Sequence, residues 1–354
     1  MANNLYDKLI NSEIPFLVLS SFCVYNFVTY STKNRKVRNS KNEFTNLSII
    51  EIDVHKEGKF GNVLSLLKRQ QKRIDFKGKY VYKKPGKMKY LQRELEWYNK
   101  CWEGENDIRL QNYISKCHGT ISSTNDEEHD DIISLDNFLY KFYKSESERK
   151  VFNNLASSDI KIGTRSYEYN ASTVGHINYW HKMLEFGTSW SSRNNNNNNG
   201  TNIFPSKLDF MKWRDESTTT KKYGFRITYM QHPYQDEEHY MYDPVKIQQG
   251  SIMYILQCFR GFFQVNKKKN KIEMLRKFIY ELRILKDILE KSILFQSYNI
   301  IGSSLHFGYD YYNKNRLFLQ WIDFSHATKL DKNEVKDDGL LHGISSLIEL
   351  LKRV

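Results

Sequence analysis

An α+β fold divided into two lobes is what this sequence predicts, and three observations carry it. Residues 79–84 (KYVYKK) read as a strand that Pro85 and Gly86 stop. Further along, apolar residues recur at spacings of three and four over long stretches, the period of helices with one buried face. Phe318, Leu319, Trp321 and Ile322 then form a short apolar run ending at Asp323, as a buried strand does. A strand-rich first half followed by a mixed, helix-richer second half is the layout of an α+β chain. The length, 354 residues, suits one large domain or two lobes, and 40% hydrophobic with 14% aromatic residues supply a sizeable core.

The elements follow in order. Residues 1–46 form an N-terminal extension. Within it, 15–30 carry no charge and are followed by Lys33, Arg35, Lys36 and Arg38. That run is shorter than the roughly 20 residues a membrane span needs, and Ser, Asn and Thr interrupt it. No basic segment precedes it, so it is a poor signal peptide. A buried strand or helix is expected there, and membrane association is disfavoured. The polar stretch 32–46 reads as a linker or arm. A first lobe over 47–155 holds the KYVYKK strand, an amphipathic helix striped by Met88, Leu91, Leu95, Tyr98 and Trp102, and an acidic surface loop at 126–131. A second lobe over 156–354 holds an Asn-rich insertion near 191–202, with six consecutive Asn at 194–199, whose composition predicts disorder. It also holds a helix striped by Ile272, Leu275, Ile279, Leu282, Leu285 and Leu289, and a closing helix over 340–351.

Charge narrows the partner. Lys and Arg total 54 against 41 Asp and Glu, a net +13, which favours a polyanion. The basic residues are spread along the chain and no RNP, KH or zinc-knuckle pattern appears, so specific nucleic-acid binding is disfavoured. Cys23, Cys101, Cys117 and Cys258 make no CxxC pair. Free thiols in a reducing compartment, the cytoplasm or nucleus, follow from that, without a structural metal.

Three local patterns can carry chemistry. In Ser158-Asp159-Ile160-Lys161-Ile162-Gly163-Thr164-Arg165, Asp159 and Lys161 are two apart. In an extended segment they share a side, where a carboxylate could orient a hydroxyl while an ammonium neutralises phosphate. Gly163 lets the backbone turn closely, and Arg165 offers a bidentate phosphate fork. On that string alone, a surface strand with a salt bridge is the better reading. In Trp321-Ile322-Asp323-Phe324-Ser325-His326 the acid ends an apolar strand, a typical place for a magnesium ligand, with an Asp capping the next turn as an equal alternative. Lys84 ends a strand and Glu94 sits on the following helix, the pair kinases use to hold nucleotide phosphates.

The order is lysine strand, acidic helix, hinge, DxKxG, then IDF. In that order, from about Tyr80 to the C-terminus, the chain resembles the inositol polyphosphate kinase family. The family signature PxxxDxKxG stands here as LASSDIKIG, with Leu155 in the place of the proline. YVYKKP with RELEWY, YGFRITYMQHPY, NIIGSSLHFGYD, WIDFSHAT and DDGLLHGISSLIELL are further blocks similar to the family. GTRSYEYNAS and the GTS at 187–189 look nearest to the inositol hexakisphosphate kinase branch, with the multikinase branch beside it.

The resemblance implies a two-lobed fold, protein-kinase-like or ATP-grasp-like, with a small inositol-binding insertion, and a monomer that uses ATP and Mg²⁺. It implies an ATP-dependent kinase acting on an inositol polyphosphate, with inositol hexakisphosphate kinase leading. The alternatives are a multikinase acting on lower inositol phosphates and a degenerate inositol phosphate sensor without turnover. By position, Lys84 and Glu94 match the nucleotide-phosphate pair, Asp159 the residue that orients the attacking hydroxyl, and Lys161 the lysine bridging substrate and γ-phosphate. Asp323 matches the metal-binding acid, with Ser303 near the metal. His326, Arg165 and Lys182 match the substrate side. Asn153 and Asn154 stand in the hinge where an acidic residue usually contacts the nucleotide ribose; Asn hydrogen-bonds a hydroxyl without charge assistance.

Overall fold

A computed structural model describes residues 74–77, 79–84, 88–103, 108–122, 131–142, 155–188, 204–233, 239–263, 268–310, 316–331 and 334–354. The expectations placed on 15–30, on Asn153 and Asn154, and on the Asn run lie outside these residues. No helix among the described residues is long and apolar enough to cross a membrane. The chain divides into two compact units, one containing the described residues up to Lys84 with His118–Lys141, the other Lys87–Cys117 with Phe142–Val354.

The first unit is a four-stranded sheet. Its strands are β1 (Ile74–Lys77), β2 (Tyr80–Lys83), β3 (Cys117–Ser122) and β4 (Asp131–Asp136), in the order β1-β2-β4-β3. β1 and β2 form a tight hairpin with Lys77 opposite Tyr80, and β2 runs antiparallel to β4 with Val81 opposite Leu135. Burial of Ile133, Leu135 and Leu139 anchors the unit, and Lys84 follows β2 directly.

In the second unit, α1 (Met88–Glu103) is the helix the spacing predicts, but its buried face is rotated. Leu91, Glu94, Trp97, Tyr98 and Cys101 are buried, while Met88 is exposed. Trp97 is the reason. Its ring packs edge-on against Tyr298 at 5.2 Å and Trp321 at 5.7 Å, and meets Phe324 at 5.6 Å. The largest side chain of the helix sets the face, and that brings Glu94 inward.

A five-stranded antiparallel sheet runs β10-β9-β5-β6-β7. Its members are β5 (Leu155–Ile162), β6 (Phe225–Pro233), β7 (His239–Met241), β9 (Ser304–Asp310) and β10 (Leu317–Ile322), while β8 (Tyr298–Ile300) pairs separately with β11 (Ala327–Lys329). The predicted strand at 318–322 is β10, and the DxKxG segment is the central strand. Helices α2 (Ile177–Glu185) and α3 (Lys207–Ser217) precede β6, and α4 (Ile252–Phe262) and α5 (Lys268–Lys291) follow β7. α5 buries Met274, Phe278, Ile279, Leu282, Leu285, Ile288 and Leu289, whereas Ile272 of the predicted stripe is exposed. Phe278 turns the helix by packing on Phe307, ring centroids 4.0 Å apart. The closing helix, α6 (Gly339–Leu351), buries Leu340, Ile344, Leu347, Ile348, Leu350 and Leu351. Gly343 lets it touch backbone: a β-carbon there would stand 1.9 Å from the Gly224 carbonyl oxygen.

Candidate active site

The site forms around β5. Asp159 and Lys161 alternate with buried Ile160 and Ile162, so the two polar side chains share one face of the strand. The β5–β6 register shifts between Asp159 and Ile160, a bulge of the kind that re-aims a side chain. The Thr228 hydroxyl donates to the Asp159 carbonyl at 3.0 Å and holds the bulge. Burial raises the Asp159 carboxyl above the usual range, the Lys161 charge opposes that rise, and the Asp323 charge adds to it. Asp159 Oδ1 is buried with no hydrogen-bond partner among the described residues. A buried carboxylate oxygen without a donor is rare, and the nearby Ser304 and Thr228 hydroxyls oppose part of the rise that burial causes. Across the strand pair, Asp159 lies opposite His306, whose imidazole burial pushes down to about 3 and so keeps neutral.

Lys161 Nζ donates to Asp323 Oδ2 at 2.7 Å and to the Gly302 carbonyl at 2.8 Å. Two motifs 162 residues apart therefore meet at one ammonium. Asp323 follows β10 with φ +68°, the one non-glycine residue with positive φ among the described residues. Aspartate tolerates that conformation better than most side chains, and its neighbours impose it. Phe324 is fully buried against Trp97, Tyr98 and Trp321, so the chain must turn sharply after Ile322. Ser303 is also fully buried, and its Oγ accepts the Trp321 indole N–H at 2.9 Å while its carbonyl accepts the Ile162 N–H at 3.0 Å. Ser303 thereby ties the end of β5 to the strand that carries Asp323.

The turn after β5 has its own support. Gly163 takes φ +115° and donates its N–H to Gly224 O at 2.7 Å. Asp215 of α3 accepts the Ser166 N–H at 2.7 Å and the Ser166 hydroxyl at 2.6 Å. Buried Arg226, opposite Lys161 in β6, faces the same carboxylate at 3.4 Å. Arg165 binds Asp337 Oδ2 through Nε and Nη2 at 3.1 and 2.8 Å, and Tyr169 lies against its guanidinium at 4.3 Å. Its fork thus already holds a carboxylate. It lines a cavity of about 250 Å³ together with Lys212 and Lys221.

Beyond Asp323 the chain reaches His326. His326 Nδ1 meets Glu168 Oε1 at 2.5 Å, Arg93 of α1 reaches the same oxygen at 2.6 Å, and Tyr90 packs edge-on to the imidazole at 4.7 Å. The bond to His326, then the charges of His326, Arg93 and Lys89, hold the Glu168 carboxyl down to about 2 against the opposing effect of burial. Lys207 stands 5.8 Å over the Tyr90 ring. Lys182, on α2, rests 5.4 Å over Tyr179 and 5.7 Å over Phe210. Its ammonium is pushed down first by burial and then by Arg214 and Lys207. Glu185 opposes these effects, and a lysine whose charge is disfavoured by burial and by cationic neighbours gains from an anion placed beside it. Lys84 lies in the first unit; Glu94 lies in the second and is buried.

Glu168 lies in GTRSYEYNAS, Arg93 in RELEWY and Asp337 in DDGLLHGISSLIELL, but their spacing points to no chemistry, and Tyr90 and Asp215 lie in none of the family-like blocks. Among the described residues no three His, Cys, Asp or Glu side chains gather as a metal cluster. The donor chemistry at Asp323 nonetheless fits magnesium, which takes one or two carboxylates and fills its remaining positions with water and phosphate oxygens.

The site is thus a central strand that presents an acid and a lysine to a second acid lying beyond a buried strand. The model of the inositol polyphosphate kinase family matches residues 150–352, and the chain belongs to that family. Mouse inositol-trisphosphate 3-kinase A is 27% identical over 162 residues, covering 41% of this chain and 32% of its own. The inositol-trisphosphate 3-kinase homolog of Caenorhabditis elegans is 20% identical over 271 residues, 70% of this chain and 47% of its own. The chain thus spans 32% of the first of these relatives and 47% of the second. The crystal structure of the inositol phosphate multikinase of S. cerevisiae in complex with ADP and Mn²⁺ matches with a TM-score of 0.52 at 16% identity, over 78% of this chain and 99% of that chain. The fold is therefore the mixed helix-and-sheet fold of that multikinase.

Proposed function

We propose that this chain is an ATP-dependent inositol polyphosphate kinase. The observation that supports it most is the convergence of Asp159, Lys161 and Asp323, with Lys161 Nζ 2.7 Å from Asp323 Oδ2 and Asp159 Oδ1 buried without a donor. Phosphoryl transfer needs placement and neutralisation of charge more than covalent help from the protein. In this reading the substrate hydroxyl donates to Asp159 Oδ1, and the raised affinity of that carboxyl for a proton suits it to receive one as the oxygen attacks. Lys161 stands two residues along the same face to meet phosphate oxygens. Asp323 holds the divalent cation, with Ser303 behind it; when bound, the cation offsets charge on the transferring phosphate. By position in the family, Lys84 serves the nucleotide phosphates and Glu94 is the partner acid of that lysine, while Asn153 with Asn154 serve the ribose. His326 and Lys182 serve the substrate, Arg165 does so only by exchanging Asp337 for a phosphate, and Lys207 and Arg214 add to the charge around Lys182.

Within that class we read the chain as an inositol hexakisphosphate kinase, on the GTRSYEYNAS block. The matched relatives are named for inositol trisphosphate, which favours a second reading, a kinase of lower inositol phosphates. Incubation with Mg-ATP labelled at the γ-phosphate and a panel from inositol trisphosphate to inositol hexakisphosphate, with products separated by charge, decides between them. Label entering hexakisphosphate supports the first reading and label entering only lower members the second. Binding without transfer to any member would make the chain a sensor and overturn the kinase reading.

A further inference from the structure

Glu168 lies inside the GTRSYEYNAS block without a role assigned by position, yet one of its carboxylate oxygens takes two partners. Oε1 takes His326 Nδ1 at 2.5 Å and Arg93 Nη1 at 2.6 Å. Its side chain is 12% exposed, against 25% for His326 and 26% for Arg93, so the acid lies beneath and the two partners lie nearer the surface. An ionised carboxylate accepts only. The Nδ1 contact therefore requires a proton on Nδ1, which assigns the tautomer and leaves Nε2 as the nitrogen available to a ligand. Among the described residues Nε2 makes no hydrogen bond, while Tyr90 confines the ring plane at 4.7 Å. A ligand-binding histidine whose other nitrogen is held by a carboxylate is a recurrent way to fix both tautomer and orientation.

We propose that Glu168, braced by Arg93, is a positioning residue that fixes His326 with Nδ1 protonated and Nε2 turned to the inositol phosphate. This rests on the kinase reading and on His326 serving the substrate. Without Glu168 the ring can change tautomer and swing, while Asp159, Lys161 and Asp323 keep their own contacts. The defect therefore falls on substrate binding and not on the phosphoryl step.

The test is a double-mutant cycle on the full chain, using Mg-ATP with inositol hexakisphosphate and, in parallel, an inositol trisphosphate. Glu168→Gln in the wild-type background lowers kcat/KM by about tenfold or more, on the scale found for groups that orient a ligand-binding histidine, chiefly through KM. In the His326→Ala background the same substitution changes kcat/KM by less than about twofold, because residues acting as a unit are non-additive. Equal losses in both backgrounds would mean that Glu168 acts elsewhere and overturn the proposal. His326→Ala with wild-type kcat/KM would instead remove His326 from the substrate side, and the proposal with it. Should the wild type phosphorylate neither compound, the kinase reading fails, and ¹⁵N-histidine spectra still test the positioning. They show Nδ1–H at His326 in the wild type and a mixture of tautomers in Glu168→Ala. A mixture already present in the wild type would overturn the assignment.

Discussion

Asp323 combines two properties that a single substitution can separate. Its carboxylate meets Lys161, and its backbone sits at φ +68°, a conformation that costs a non-glycine residue on the order of 1 kcal/mol. Asp323→Asn should fold normally and lose transfer by on the order of 10²-fold or more, the scale for removing a key electrostatic group. Asp323→Gly should lose as much activity while melting no lower than wild type, since glycine takes positive φ freely. Near-normal turnover in either variant would remove Asp323 from the site. Lys161→Ala should likewise abolish transfer, with Lys84 still available to the nucleotide, and Lys161→Arg should rescue poorly because a planar fork cannot replace a compact ammonium held between Asp323 and Gly302. Nucleotide binding by calorimetry alongside turnover separates the two effects. These residues were legible because spacing of two on a strand, or an acid closing an apolar run, is a local pattern. Glu168 was not, because its partners lie 75 and 158 residues away in sequence.

At the scale of elements, existence was easier to read than orientation. The 3.6-residue period located α1 and α5, but which flank faces inward depends on aromatic partners elsewhere in the chain, Tyr298 and Trp321 for Trp97 and Phe307 for Phe278. The glycine in α6 shows how closely two elements can depend on one atom. Gly343→Ala places a methyl group 1.9 Å from Gly224 O, so α6 must shift from the turn that Gly163 and Gly224 share. A cost of about 1–3 kcal/mol, the range for overpacking, is expected in urea denaturation. An unchanged midpoint would show that the helix yields freely. Glu168 gives the elements it joins a pH dependence. Its carboxyl falls from 4.5 to about 2 in the fold, so its partnerships contribute stability that is fully present above about pH 4.5 and lost as pH falls towards 2. Glu168→Gln should flatten the acid limb of the Tm–pH curve in that window by lowering Tm above about pH 4.5 while leaving the acid end close to wild type; a limb of unchanged slope would contradict it.

For the whole molecule, the sheet order β10-β9-β5-β6-β7 could not be read from the sequence, because β5 pairs with β9, whose first residue lies beyond seven intervening helices among the described residues. Only that pairing brings Lys161 beside Ser304 and the Asp323 turn. The net charge of +13, by contrast, is visible at once but ambiguous, since phosphorylated inositols and nucleic acids both answer it. Geometry separates them. Lys182 lies over Tyr179 and Phe210, Arg214 lies over Phe210, and Lys207 adds its charge while Glu185 opposes them, a compact cluster better suited to a small, densely charged ligand than a stripe that tracks a backbone. Inositol hexakisphosphate should therefore raise the melting temperature of the apoprotein without ATP. At a hundred times its Kd the gain is about 2.7 kcal/mol. The effect should shrink as salt shortens the screening length from about 10 Å at 0.1 M to about 3 Å at 1 M. Lys182→Gln should weaken it, because that lysine's charge is already disfavoured by its neighbours and a polyanion relieves the strain. Single-stranded DNA of equal phosphate concentration should give a much smaller shift. A shift as large with DNA as with the inositol phosphate would assign the charge to a diffuse nucleic-acid surface, and no shift with either would detach the basic cluster from ligand binding altogether.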